Sequence, residues 1–144
     1  MCCSRRISFM AKSELFKDHG RLAGTFLSLC GAFPVNRNSA DKASMDTAAD
    51  ILLSGGVVGI FPQGGIVSDA YCFEPKCGAA FLSVKTGVPM IPAAIKYSRG
   101  RKLFSKITVT FCRPVYPAGE NLRGIRTLTR KLRDSVLDTL EEYK

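Results

Sequence analysis

A chain of 144 residues, 46% hydrophobic and 23% charged, has the length of one globular domain and too much apolar character for a disordered segment. No apolar run approaches the ~18 residues that a membrane-spanning helix needs, and the opening MCCSRRISFM lacks the apolar stretch of a secretory signal. Lys and Arg number 21 against 12 Asp and Glu, giving a net charge of +9. That excess is concentrated between Lys96 and Arg133, where eleven basic residues face a single acid, Glu120. Such a field favours an anionic partner. The six cysteines, at 2, 3, 30, 72, 77 and 112, form no C-x-x-C pair, and Cys72 and Cys77 have no histidine nearby, so no metal site is expected.

In chain order, Ile7 to Met10 reads as a short apolar strand. Leu22, Phe26, Leu27 and Cys30 recur at helical spacing, and Gly31 can end that helix. Ala32 to Val35 is a second strand, Asn36 to Ala40 a polar loop, and Asp41 to Ser54 a helix stopped by Gly55-Gly56. Val57 to Phe61 is apolar at successive positions, as a central strand buried on both faces would be. Gly78 to Thr86 is helical up to Gly87, and Pro89 to Ile95 is another apolar strand. Lys106 to Val115 alternates Ile107, Val109 and Phe111 with Thr108, Thr110 and Cys112, the mark of a half-exposed strand near an edge. The final segment, residues 122–143, is an amphipathic helix with Leu122, Ile125, Leu128, Leu132, Val136 and Leu140 on one side. Its arginines crowd the first half and its acids the second, opposite to the helix dipole's preference. Strands alternating with helices predict an α/β fold with a mixed, largely parallel sheet flanked by helices.

The stretch GIFPQGG, residues 59–65, brings a strand to a sharp turn and a glycine loop. Glycines let backbone N–H groups approach a ligand closely, most often a phosphate. The nucleotide-binding versions do not fit. Gly59 and Gly64 have the spacing of a P-loop, but Gly65 and Ile66 stand where Lys and Ser/Thr are required, and G-x-G-x-x-G is absent.

A different pattern covers much more of the chain. FMAKSELFK (9–17), GAFPVNR (31–37), GIFPQGG (59–65) and PKCGAAFLSVKTGVPMIPAAI (75–95) resemble, in order and spacing, five sequence blocks of the lysophosphatidic acid acyltransferase family. That family is also called the 1-acyl-sn-glycerol-3-phosphate or phospholipid/glycerol acyltransferases. The blocks run approximately F-x-A-K-x-E-L-F, G-A-F-x-V-x-R, F-P-E-G-T-R-S, K-x-G-A-A-x-x-A and V-P-x-x-P-V. The resemblance implies a single glycerolipid acyltransferase domain over 1–144, strongest over 9–95, with 122–143 as its C-terminal helix. It implies transfer of a fatty acyl group from acyl-CoA or acyl carrier protein to the free hydroxyl of lysophosphatidate, with no further cofactor. It also implies that Lys12, Arg37, Gln63 and Gly64 surround the acceptor's phosphate, with Lys76 close to the same loop. Lys and Arg are the side chains that pair with phosphate.

The resemblance departs from the family in two places. Acyl transfer to an alcohol needs a base for the hydroxyl proton, and the family supplies it from H-x-x-x-x-D, ahead of the F-x-A-K block. Here the one histidine, His19, follows that block, and Gly24 stands five positions after it, so no catalytic residue is assigned. The family's Glu-Gly-Thr-Arg-Ser is Gln63-Gly64-Gly65-Ile66-Val67 in this sequence, which removes one negative and one positive charge. The expectation is a domain lacking the family's first strand and helix, truncated at its amino end. Its alternative function is that of an inactive pseudoenzyme that binds lipid phosphate. In either form the chain is expected to be cytoplasmic, peripheral at the anionic cytoplasmic membrane face, and not a nucleic-acid binder, since the basic stretch carries none of the recognised binding motifs.

Overall fold

The computed structural model describes residues 4–17, 20–36, 41–64, 74–97, 106–119 and 121–142. The chain forms two compact units, Met1–Gly65 and Ile66–Lys144.

The first unit is built on three parallel strands, β1 (Ile7–Lys12), β2 (Phe33–Val35) and β3 (Val57–Gly59). Their order is β2-β1-β3, with Met10 opposite Phe33, Lys12 opposite Val35, Ile7 opposite Val57 and Phe9 opposite Gly59. The helices α1 (Glu14–Lys17) and α2 (Gly20–Leu29) lead from β1 to β2, and α3 (Lys42–Leu53) leads from β2 to β3. This order corrects one expectation. The Val57–Phe61 run was to be the central strand; β1 is central instead, and β3 pairs with β1 alone among the described residues. The run is also only half-buried, with Phe61 exposed, and an apolar run does not encode which neighbours a strand acquires.

The crossover helices stop in the same way. At the end of α2, Gly31 N–H donates to Ser28 O (2.9 Å) and Ala32 N–H to Leu27 O (2.9 Å). At the end of α3, Gly55 N–H donates to Leu52 O (3.0 Å) and Gly56 N–H to Ile51 O (2.8 Å). Both are Schellman motifs, and Gly31 (φ 85°) and Gly55 (φ 81°) take the left-handed position that this motif assigns to glycine. Two arginines ahead of β1 complete these ends. Arg6 donates to the Ser28 and Leu29 carbonyls at the end of α2, placing a cation where that helix's last carbonyls point, and Arg5 donates to the Gly55 carbonyl in the turn just after α3. The C-terminal ends of α2 and α3 therefore gather at the amino-terminal edge of the sheet. The small residues Ser44, Ala48 and Ala49 form the buried stripe of α3, which packs against β2 and β3.

The second unit contains α4 (Gly78–Thr86), β4 (Ala93–Tyr97), β5 (Ile107–Phe111) and α5 (Leu122–Glu141). β4 and β5 are antiparallel, with Ala93 opposite Phe111 and Tyr97 opposite Ile107. The pairing extends past the strands through two bonds between Met90 and Val115, of 2.9 and 2.7 Å. β4 starts later than the predicted Pro89, because Pro89 and Pro92 have no N–H to give a ladder. Ala80 of α4 and Ile125 and Leu128 of α5 form the core, with Val84, Met90 and Val115 packed against it. Asn121 caps α5 by accepting from Gly124 N–H (2.8 Å).

One face of this ribbon runs against the simple expectation for an alternating strand. Ile107 (58% exposed), Val109 (47%) and Phe111 (48%) point outward, as do Ile95 and Tyr97 opposite them. The half-buried Cys112 faces α5 instead, its Sγ 3.2 Å from Thr139 Oγ1 and 3.4 Å from the Ser135 carbonyl. Within the ribbon the inward positions are Ala94, buried, and Thr110 opposite it, half-buried, and it is β4 that packs against α5.

Candidate functional site

In an open α/β sheet, ligands bind beyond the carboxyl ends of the parallel strands. In the first unit that edge is formed where β1 ends at Lys12, β2 at Val35 and β3 at Gly59. β1 and β2 finish level with each other, since Lys12 is opposite Val35 and Ser13 N–H donates to Val35 O (3.0 Å).

Lys12 leaves the strand with its side chain 45% exposed, so the ammonium is open to an incoming anion. Its Nζ lies 3.1 Å from Glu14 Oε1, and Ser13 Oγ donates to the other carboxylate oxygen at 3.1 Å. A backbone hydrogen bond, the Lys12 ammonium and the Ser13 hydroxyl hold the Glu14 carboxyl below its ordinary value. Glu14 thus stays ionised near neutrality and restrains Lys12 without burying it.

Beyond β2 comes Asn36, and Arg37 after it lies outside the described residues. Asn36 and Asp41, on either side of residues 37–40, are tied together. Asp41 Oδ2 accepts from the Asn36 N–H (2.8 Å), and Oδ1 accepts from the Ser44 N–H (3.1 Å) as the cap of α3. Ser44 Oγ lies 2.6 Å from Asp41 Oδ2 and 2.9 Å from the Pro34 carbonyl of β2. The Ser44 hydroxyl, then the Asn36 and Ser44 amides, hold the Asp41 carboxyl below its ordinary value.

Beyond β3 the chain turns at Phe61-Pro62-Gln63-Gly64, closed by Gly64 N–H donating to Phe61 O (3.1 Å). Pro at the second place and Gly at the fourth are the residues such a turn prefers, and Gly64 has φ 70°. Gln63 is half-buried, keeping an amide that can donate or accept. Phe61 stacks on Phe9 of β1, with ring centroids 6.0 Å apart and planes 18° apart. The Phe9 ring lies so close over Gly59 that a Cβ there would fall 2.4 Å from two of its carbons.

Of the residues singled out from sequence, Lys12, Gln63 and Gly64 are therefore carried by strands or turns at one sheet edge. Gly65, Ile66 and His19 lie outside the described residues, as Arg37 does. Lys76, exposed, precedes α4 in the second unit. Sequence reasoning passed over Glu14, Asp41 and Phe9. Asp41 had a readable signal, an Asp three residues ahead of Ser44 at the start of a helical pattern.

A family profile described as Acyltransferase matches residues 1–96. The 1-acyl-sn-glycerol-3-phosphate acyltransferase of Bacillus subtilis is 37% identical over 102 residues, which is 70% of this chain and 49% of that protein. The protein of the same description from Streptococcus pneumoniae is 30% identical over 89 residues, covering 61% of this chain and 31% of that one. Among solved structures, the 1-acyl-sn-glycerophosphate (LPA) acyltransferase PlsC of Thermotoga maritima superposes with a TM-score of 0.69 at 21% identity. That match covers 94% of this chain and 56% of the other, and it shows a shared fold. The chain spans about half the length of the B. subtilis relative and of PlsC. With 96 of its 144 residues inside the profile, the chain belongs to the acyltransferase family.

Proposed function

We propose that this chain serves acyl transfer to lysophosphatidate, and that its own part is to hold the acceptor's phosphate at the carboxyl edge of the β2-β1-β3 sheet. The observation that carries this reading is the convergence of separate chain segments on that edge. Lys12 ends β1, Asn36 follows β2 with Arg37 next in sequence, and the Phe61–Gly64 turn follows β3. Lys12 and Arg37 supply cationic donors, and Gln63 and the backbone around Gly64 supply neutral ones. Glu14 keeps Lys12 restrained until the phosphate arrives. The acyl donor in this reading is acyl-CoA or acyl carrier protein. The chain meets its lipid at an anionic membrane face through basic residues that include Arg126 and Arg130, both exposed on α5. Each such residue near acidic lipid contributes about 1 kcal/mol. No described helix is long and apolar enough to cross a membrane.

A second reading rests on a specific observation, the composition of the sequence around the reaction. Deprotonating an alcohol needs a positioned base, and the 144 residues include one histidine, His19. Ile66 also stands where a cation would contact phosphate. In this reading the chain binds lysophosphatidate without acylating it. The discriminating experiment supplies the purified chain with lysophosphatidate vesicles and either oleoyl-CoA or oleoyl-acyl carrier protein. Phosphatidate formation supports the first reading. Vesicle binding without product supports the second, and neither binding nor product removes both.

A further inference from the structure

We propose that Phe9 is a positioning residue for the Phe61–Gly64 turn, and through it for phosphate binding. The second half of this inference rests on the function proposed above.

β3 pairs with β1 only as far as Phe9 opposite Gly59. Beyond that point the chain leaves the ladder, and Pro62 has no N–H with which to rejoin it. The direction in which the turn departs must therefore be set by side chains. Phe9 is placed to set it. It is the last residue of β1 in register with β3, and its ring spans the gap above Gly59 to reach the Phe61 ring. The near-parallel planes, 18° apart at 6.0 Å, define an offset stack. Phe61 also supplies the carbonyl that closes the turn on Gly64. A shift of the Phe61 ring therefore moves the acceptor for the Gly64 amide and the adjoining Gln63.

The absence of a side chain at Gly59 belongs to the same device. A Cβ at that position would fall 2.4 Å from Phe9 Cδ1 and Cε1 and 3.0 Å from Ile7 Cγ2. The glycine of this strand thus makes room for the aromatic prop, and the glycine of the turn, Gly64, takes the bend. The sequence motif shows two glycines five residues apart, which suggests one shared job; the structure gives them separate ones.

Phe9 is 38% exposed, so shortening it removes the stack without emptying a core. The test compares Phe9→Leu and Phe9→Tyr with the parent chain. Amide hydrogen exchange reads the geometry at Gly64 N–H, with Ser13 N–H, bonded to Val35 O, as the reference for unit-wide loosening. Titration with glycerol 3-phosphate reads the consequence. Phe9→Leu should speed exchange at Gly64 about three- to tenfold relative to Ser13 and weaken glycerol 3-phosphate binding by a similar factor. Phe9→Tyr, which keeps the ring, should restore both. Equal change at Gly64 and Ser13, or no change at Gly64, would overturn the assignment of Phe9. Looser exchange at Gly64 with unaltered glycerol 3-phosphate affinity would overturn its functional half. A parent chain that binds no glycerol 3-phosphate would instead overturn the proposed function, while the exchange result still decides whether Phe9 holds the turn.

Discussion

Replacing Gly59 with alanine probes the packing beneath the candidate site. The new Cβ would fall 2.4 Å from Phe9 ring carbons, where carbon atoms prefer about 3.5–4.0 Å, so the ring must retreat by roughly 1 Å or more. Overpacking of this kind costs about 1–3 kcal/mol. Moving the ring off Phe61 forfeits about 0.5–1.5 kcal/mol of stacking. Against these, Gly→Ala restricts the unfolded chain and returns about 0.4–1 kcal/mol. The net expectation is a destabilisation of about 0.5–4 kcal/mol. The choice of probe matters. The sequence has no Trp, and Tyr71, Tyr97, Tyr116 and Tyr143 all belong to the second unit, so tyrosine fluorescence is blind to the first. Urea unfolding followed by hydrogen exchange at β1 and β3 amides reads the right unit. In a Phe9→Ala background the ring clash is gone and only the 3.0 Å approach to Ile7 Cγ2 remains, so the same Gly59→Ala change should cost much less than it does with Phe9 present. A Gly59→Ala chain as stable as the parent, with Phe9 present, would refute the packing argument.

Other expectations follow from neighbouring residues. Asp41 has a lowered folded-state pKa, so its contribution to stability is present above its ordinary value of 3.8 and is lost as pH falls through the folded value. Asp41→Asn should therefore lower the urea midpoint of the first unit at pH 7 and leave a smaller drop on acidification, measured by circular dichroism from pH 7 to 2. Glu14→Gln removes the carboxylate beside Lys12, and glycerol 3-phosphate affinity should rise or hold while Lys12→Gln lowers it; a fall with Glu14→Gln as large as with Lys12→Gln would mean that the carboxylate's restraint of Lys12 matters more than its charge. Arg126→Glu with Arg130→Glu should weaken sedimentation with phosphatidylglycerol vesicles at least tenfold and reduce its salt dependence. Binding that does not change would remove this face of α5 from the membrane contact.

The elements visible in the sequence were those fixed by local patterns. The α4 helix is bounded by Gly78 and Gly87, and its residues 78–86 are helical as the spacing predicted. α3 begins one residue after Asp41 and ends one before Ser54, because a cap and a glycine stop are both local signals. Long-range arrangements were not legible. The placement of β1 between β2 and β3 depends on pairings across the chain, which an apolar run at 57–61 does not encode. Arg5 and Arg6 read as a basic start; their task of closing the ends of α3 and α2 appears only when residues 50 and 22 positions away are brought beside them. The outward apolar face of β5 reverses the simple expectation that alternating strands bury their apolar side, since Thr110 and Cys112 are the half-buried positions. At the candidate site, the motif pointed to Lys12, Gln63 and Gly64 by type. Their supports, Glu14, Asp41 and Phe9, became visible through hydrogen bonds and ring contacts that no residue spacing specifies.

The proposed function requires recognition of a lipid phosphate by the carboxyl edge of the first unit. Its most direct test is to titrate the chain, in neutral phosphatidylcholine nanodiscs, with oleoyl lysophosphatidate and with monooleoylglycerol, the same lipid without its phosphate. Tight binding of the phosphorylated lipid, lost with monooleoylglycerol and weakened by Lys12→Gln, is the predicted result. Equal affinity for the two lipids, or binding indifferent to Lys12, would contradict it.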